Sequence, residues 1–369
     1  MKTSQPRLSI RGAIGLGYAA VCAIVTGLSY ATWIPFENVS RRPKSTYKYI
    51  MFGLGRAFMR NLSREHEVWA MPTTDSAYET WCKKNAIVPR SDVLPDGTKA
   101  HWLGSKDADT VMLFFPGGGY NHPMTTEHVS FLNEHLTQIN AKAPSPSRPI
   151  LSVLILSYSL APEHPYPRQL IQATDILHHT LSILELPPSR LILCGDSAGG
   201  GLIFCLLSHL LHPHPSNCVP RPPKLNVPFK GVALLSPWVN LATTSDSMRR
   251  NARKDGIEDI SLARWGDAFL GGKERDAWNC PSVAESGWWK SLSAIARNVF
   301  IVVGGDEVML DDINDMSAVL ESECGDIIQS VVIPDECHNS PLVEKQFLRF
   351  DDVAMDTEYQ MWLERLLWT

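Results

Sequence analysis

The chain is expected to fold as a doubly wound, mostly parallel α/β sheet with a helical cap and an apolar N-terminal helix. Three observations lead there. From about residue 110 onward, continuous apolar runs alternate with helical patterns, as parallel strands covered on both faces require. One such run ends in a glycine-rich turn that carries a serine and opens an apolar helix. Residues 12–36 contain no charged side chain.

That uncharged run comes first in the chain. A helix needs about 20 apolar residues to cross the hydrocarbon core of a bilayer, and the 25 residues here suffice. Lys2, Arg7 and Arg11 precede it, and Arg41, Arg42, Lys44 and Lys48 follow. Trp33 and Phe36 stand where interfacial aromatics collect. A cleaved signal peptide is the alternative, but the run exceeds an ordinary signal core and lacks a small-x-small cleavage site. The expectation is a transmembrane anchor over 12–36. It makes the protein single-pass, with the endoplasmic reticulum as the expected compartment. Orientation stays open because the basic flanks balance. Two N-x-S sequons, at Asn38 and Asn61, leave glycosylation open as well.

Residues 37–90 form a juxtamembrane and cap-contributing segment. Within it, 43–63 reads either as an interfacial amphipathic helix or as a helix packed over the catalytic domain. The catalytic domain spans 91–369. It opens with a hairpin at 91–103, marked by Asp96-Gly97 between short extended runs. Strands follow at 110–115, 150–158, 190–194, 230–236, 298–304 and 328–334. Helical patterns lie at about 168–184, 198–211, 312–322 and 355–367. Residues 212–229 are proline-rich and read as a surface loop. Residues 239–297 exceed what a crossover needs and read as a cap insertion. Its Trp265, Trp278, Trp288 and Trp289 are candidates for an apolar pocket or for the core of the cap.

Composition excludes several classes. Hydrophobic residues make up 44% and charged residues 20%, too apolar for a disordered chain. The net charge of −5 provides no basic field for nucleic acid. A mean hydropathy of −0.09 excludes a polytopic membrane protein. Eight cysteines include no CxxC pair, so neither a zinc site nor a thioredoxin-type motif is expected. At most one or two disulfides are expected.

The strongest chemical signal is Gly195-Asp196-Ser197-Ala198-Gly199-Gly200-Gly201, a G-x-S-x-G in its strand–turn–helix setting. Small neighbours let the turn tighten and lift the serine oxygen to the top of the sheet. Next is Phe115-Pro116-Gly117-Gly118-Gly119-Tyr120, directly after a strand. Its glycines expose N–H groups that could meet a developing oxyanion. A nucleophilic serine needs a base and an orienting carboxylate, in the chain order Ser, acid, His. His338 follows the last apolar strand and is the candidate base. Gly304-Gly305-Asp306-Glu307 follows the strand before it, so either Asp306 or Glu307 could be the acid. Asp311 and Asp312 read as helix-start residues.

These motifs, with Tyr158-Ser159-Leu160-Ala161-Pro162-Glu163 through Pro167 and Ser236-Pro237-Trp238-Val239-Asn240, resemble the hormone-sensitive-lipase-like branch of the α/β-hydrolases. The resemblance covers roughly residues 100–345. The anchored N-terminus also looks like arylacetamide-deacetylase-type and fungal steryl-acetyl-hydrolase-like members. It implies an α/β-hydrolase fold and hydrolysis of carboxylic esters, often short acyl groups on hydrophobic alcohols, without a cofactor. It also implies Gly118, Gly119 and Ala198 as oxyanion donors, within a candidate set that includes Gly117. Two departures stand out. Pro116 replaces the usual histidine of H-G-G-G, removing a side chain that helps hold the loop. The family's acid has Leu two residues on and Asp four residues on. Glu307 gives Met309 and Asp311, whereas Asp306 gives Val308 and Leu310, so spacing favours Glu307 with Asp306 as the alternative.

The expected function is a membrane-anchored serine hydrolase with Ser197, Glu307 and His338 as its triad. Two alternatives differ in class. One is a biosynthetic enzyme using the same groups for acyl transfer, cyclisation or condensation. The other is a small-molecule receptor on a hydrolase scaffold. Oligomeric state is not legible.

Overall fold

A computed structural model describes residues 7–145 and 148–368. Lys2, on the N-terminal flank of the apolar run, lies outside them. Four helices come first: α1 (Ile10–Trp33), α2 (Thr46–Arg60), α3 (Arg64–Ala70) and α4 (Thr74–Lys84). The sheet then begins with the expected hairpin, β1 (Ser91–Val93) and β2 (Lys99–Leu103), paired antiparallel. It continues with β3 (Thr110–Phe115), β4 (Leu151–Leu156), β5 (Leu191–Asp196), β6 (Gly231–Leu235), β7 (Val299–Gly304) and β8 (Ile328–Ile333).

The strand order is β1-β2-β4-β3-β5-β6-β7-β8. Strand β2 runs antiparallel to β4, and every later pairing is parallel. The order reverses at β3. From β3 the chain steps back to β4 and then crosses to β5, after which it proceeds steadily to the far edge. Connections therefore diverge from the carboxyl ends of β3 and β5, which opens a crevice where open α/β sheets bind ligands. Phe115 pairs with Gly195 across that boundary, so the triple-glycine loop and the serine turn emerge side by side.

Alternation along the strands feeds two cores. Val111, Leu113 and Phe115 face one side, with α6 (Arg168–His178), α7 (Ala198–Leu211), α10 (Leu310–Cys324) and the cap. Met112 and Phe114 face the other, with α4, α5 (Thr126–Asn140) and α11 (Ala354–Trp368). Helix α5 is absent from the helical patterns read in the sequence. Its buried face, Val129, Phe131, Leu132, Leu136 and Ile139, is interrupted by buried His135. Thr125 and His128 form its capping box. A parallel β3–β4 crossover requires such a helix on topological grounds alone.

The long stretch between β6 and β7, where a cap insertion is expected, carries α8 (Asp246–Arg250) and α9 (Asp259–Leu270). The four tryptophans of this stretch fall in two places. Trp265 reaches the triple-glycine loop, where a Cβ on Gly119 would lie 2.8 Å from its ring. The other three fill the cap core. Trp278 and Trp288 pack edge to face and donate to the His212 carbonyl and to Ser208 Oγ. Trp289 is buried against Phe204. Trp278 and Trp288 turn toward the C-terminal end of α7, where their N–H groups find acceptors.

The segment 43–63 takes the second of its two readings. Helix α2 lies on the catalytic domain and is tied to it by Lys48 on Glu344, Arg56 on the Asp255 carbonyl and Arg60 Nε on Glu258 (3.0 Å). All eight cysteines are free thiols.

Candidate active site

Ser197 sits between β5 and α7 with φ +49° and ψ −120°, a conformation that side chains avoid and that recurs where function demands it. Three bonds hold it there. Its N–H donates to Leu235 O (2.9 Å), and its carbonyl accepts from Gly201 N (3.0 Å) and Trp238 N (2.8 Å). The turn can close only around glycine, since a Cβ on Gly199 would meet Phe115 O at 1.8 Å. An N-cap serine usually bonds the first turn of its helix. Ser197 does not, so its hydroxyl is not committed to the helix.

The glycine loop corrects one expected donor. Gly117 N–H donates to Asp196 Oδ1 (2.9 Å), so it cannot also serve an oxyanion. Gly118 (φ +117°) and Gly119 (φ +58°) adopt glycine conformations, and among the described residues none accepts from their N–H groups. Ala198 is the first residue of α7, where the N–H has no intrahelical acceptor. The missing histidine at Pro116 is compensated. Tyr158 Oη donates to the Pro116 carbonyl (2.6 Å), and Asn121 Nδ2 donates to Gly119 O (2.7 Å) and Trp265 O (3.0 Å).

The acid and base candidates separate clearly. His338 Nδ1 lies 3.0 Å from Glu307 Oε2. Glu307 is fully buried, and its other oxygen accepts from Gly304 N (2.6 Å) and from Ser236 Oγ. Asp306 turns the opposite way and pairs with Lys254 Nζ at 2.8 Å. Burial pushes the Asp306 carboxyl up, and Lys254 opposes the rise. Burial disfavours the charged His338 ring. The hydrogen bond and charge of Glu307, with Asp255 and Asp196 behind it, outweigh that, and His338 titrates above the usual histidine value. The loop bearing His338 is fastened to the serine turn, because Asn339 Nδ2 donates to Asp196 Oδ2 (2.6 Å). Asp196 thereby ties the glycine loop, the serine turn and the histidine loop together. Burial opposes its charge, but His128 beside it (3.5 Å) holds the carboxyl below its usual range.

Two residues of this arrangement received no role from the sequence. Ser236, the first residue of a motif already noted, donates to Glu307 and accepts from Asn339 N (3.1 Å). Asp255 comes from the cap insertion and is fully buried. Its Oδ1 accepts from His338 N (3.1 Å) and its Oδ2 from Val308 N (2.8 Å). One carboxylate thus clamps both the turn that carries His338 and the turn that carries Glu307. Burial pushes Asp255 up to about 6, with the charge of His338 pulling it back and that of Glu307 adding to the rise. Asp255→Asn keeps one acceptor and places an NH₂ against the other N–H. The expected loss in kcat/KM is about 10–10²-fold, the scale of a small misplacement of catalytic groups. Removing its charge also lowers the pKa of His338, so the acid limb of the pH profile should move to lower pH. A role confined to stability would lower Tm and leave that limb in place.

Comparisons with known proteins bear on the fold. A family described as alpha/beta hydrolase fold matches residues 112–342. The chain is 28% identical over 170 residues to an esterase of Acinetobacter venetianus, covering 46% of this chain and 49% of that protein. It is 24% identical to steryl acetyl hydrolase 1 of Saccharomyces cerevisiae, covering 54% of this chain and 46% of the yeast protein. The chain thus spans about half the length of these two relatives. Among solved structures, an esterase of the bacterial hormone-sensitive lipase family superposes with a TM-score of 0.59 at 23% identity, over 88% of this chain and 99% of that one. With the matched region covering the sheet from β3 through the His338 loop, the chain belongs to the alpha/beta hydrolase fold family.

Proposed function

We propose that the protein is a membrane-associated serine hydrolase that cleaves carboxylic esters, short acyl groups on hydrophobic alcohols, with Ser197, His338 and Glu307 as its triad. The observation that carries this reading is the buried 3.0 Å contact between His338 Nδ1 and Glu307 Oε2, in a loop fastened to a serine held at positive φ. With Nδ1–H donated to Glu307, Nε2 is the free base. Ser197 Oγ attacks the ester carbonyl and its proton passes to Nε2. The carbonyl π electrons move onto oxygen, and Gly118, Gly119 and Ala198 N–H groups meet that charge. As the tetrahedral intermediate collapses, the C–O bond to the alcohol breaks and His338 protonates the leaving oxygen. Water, deprotonated by the same nitrogen, then releases the acid and restores Ser197.

A fluorophosphonate probe on the full chain, alongside short-chain aryl esters, tests the proposal. Labelling and turnover are expected in the wild type. A wild type that is folded but neither labelled nor active would favour a receptor, and labelling without ester turnover would favour dedicated acyl-transfer chemistry. The pH profile gives a further check. The base must be neutral, so kcat/KM falls as pH drops through the His338 pKa. Because Glu307 raises that pKa, the acid limb is expected above the usual histidine value. A limb at or below that value would contradict the assignment.

A further inference from the structure

Helix α1 carries two unlike faces. Its inner face is small, with Gly12, Ala19, Ala23 and Gly27 buried. The outer face shows Ile10, Ile14, Tyr18, Val21, Val25 and Leu28, each more than half exposed. Their steps of four, four, three, four and three residues form one continuous stripe.

The inner face is occupied along its whole length. At one end, Ser9 N donates to Glu65 Oε1 (2.6 Å) and His66 Nε2 donates to Gly12 O (2.8 Å). Further on, Leu54 lies 3.5 Å from where a Cβ on Gly27 would stand, and the Tyr30 ring covers Gly53. At the other end Arg56 donates to Tyr30 Oη (3.2 Å). These partners cannot follow α1 into hydrocarbon. Helices α2 and α3 are ion-paired to the catalytic domain by Lys48, Arg60 and Arg64, the last on Glu163 at 2.6 Å. Buried charges in a bilayer are costly.

We infer that α1 does not cross the membrane but lies in its surface plane, with the outer stripe in the headgroup–acyl boundary and the inner stripe on α2 and α3. The inference rests on the membrane-associated reading above and deepens it. Charge and aromatic placement choose a bilayer over a second copy of the chain. Arg7, Arg11 and Arg41 are exposed around an uncharged stripe, suiting anionic headgroups. Trp33 and Phe36 are exposed at its C-terminal end, suiting an interface. The arrangement also bears on substrate supply. Arg64 of α3 donates to Asn121 O (2.7 Å), and Glu67 meets His122 at 3.3 Å, in the stretch that continues the glycine loop. Docking α1 therefore sets one wall of the site next to lipid, where hydrophobic esters partition.

The test uses the full chain carrying an epitope tag at each terminus, in sealed microsomal vesicles treated with external protease. An in-plane helix gives both tags the same fate. Opposite fates, one cleaved and one protected, would overturn the inference and restore a spanning helix. Recovery of the chain in the supernatant before protease treatment would instead overturn the membrane reading itself. A second measurement uses Val21→Glu/Val25→Glu with phosphatidylcholine–phosphatidylserine vesicles. Binding should fall by about tenfold or more, with turnover of a soluble aryl ester unchanged. If this variant instead dissociates a dimer and binds vesicles as before, a second copy covers the stripe and the inference fails.

Discussion

Replacing Ser197 by alanine is expected to reduce kcat for a short-chain ester by about 10⁴–10⁶-fold, the range for removing a nucleophile whose partners act as a unit. The fold should survive. The bonds that hold the turn run through the backbone of Ser197, to Leu235, Gly201 and Trp238, and alanine keeps all three. Its side chain caps no helix, so the change in stability should stay within about 0.5 kcal/mol. Fluorophosphonate labelling should vanish in the same variant. Residual activity within tenfold of wild type would place the nucleophile elsewhere.

The parallel strands β3 to β7 were legible because each is buried on both faces and therefore reads as an unbroken apolar run, whereas β8, at the sheet edge, is partly exposed and mixes polar residues into its run. The six residues of β3 match the run 110–115 at both ends. The serine turn was legible for a different reason. Closing a strand directly onto a helix leaves no room for side chains, and Gly195, Gly199 and Gly200 record that crowding. Helix α5 was harder, because polar side chains such as His135 are buried within its apolar face and blur the 3.6-residue period. The hidden parts of the site share one property: their partners are remote in sequence. Asp255 meets His338 across 83 residues and Val308 across 53, and nothing local to the cap insertion marks it. Gly117 is a case of over-reading. Three consecutive glycines look like equivalent donors, yet Asp196 claims the first across 79 residues. The N-terminal run has the composition of a spanning helix, and only its packing on α2 separates the two faces.

Glu307→Ala is expected to lower kcat by about 10²–10⁴-fold, while Asp306→Ala costs less than about tenfold. The two carboxylates are adjacent in sequence but turned to different partners. Glu307 loses three roles at once. It orients His338 through Nδ1, it supports the charged ring in the transition state, and it accepts from Gly304 N and Ser236 Oγ. Alanine would also leave the Gly304 N–H buried without its acceptor, costing about 1–3 kcal/mol. Glu307→Gln therefore serves as the companion variant, since it retains the size and one carbonyl acceptor. It should fold better than the alanine variant and still lose the support for a charged His338, with the acid limb of kcat/KM moving to lower pH. Asp306 contributes differently. Its removal strands Lys254, which is partly exposed, so the expected change is a lower Tm and a modest effect on rate. Kinetics on all three variants, with folding followed by thermal melt, decide between the carboxylates. A large loss in Asp306→Ala beside a near-normal Glu307→Gln would transfer the acid to Asp306. It would also mean that the contact between His338 and Glu307 is not the one used in turnover.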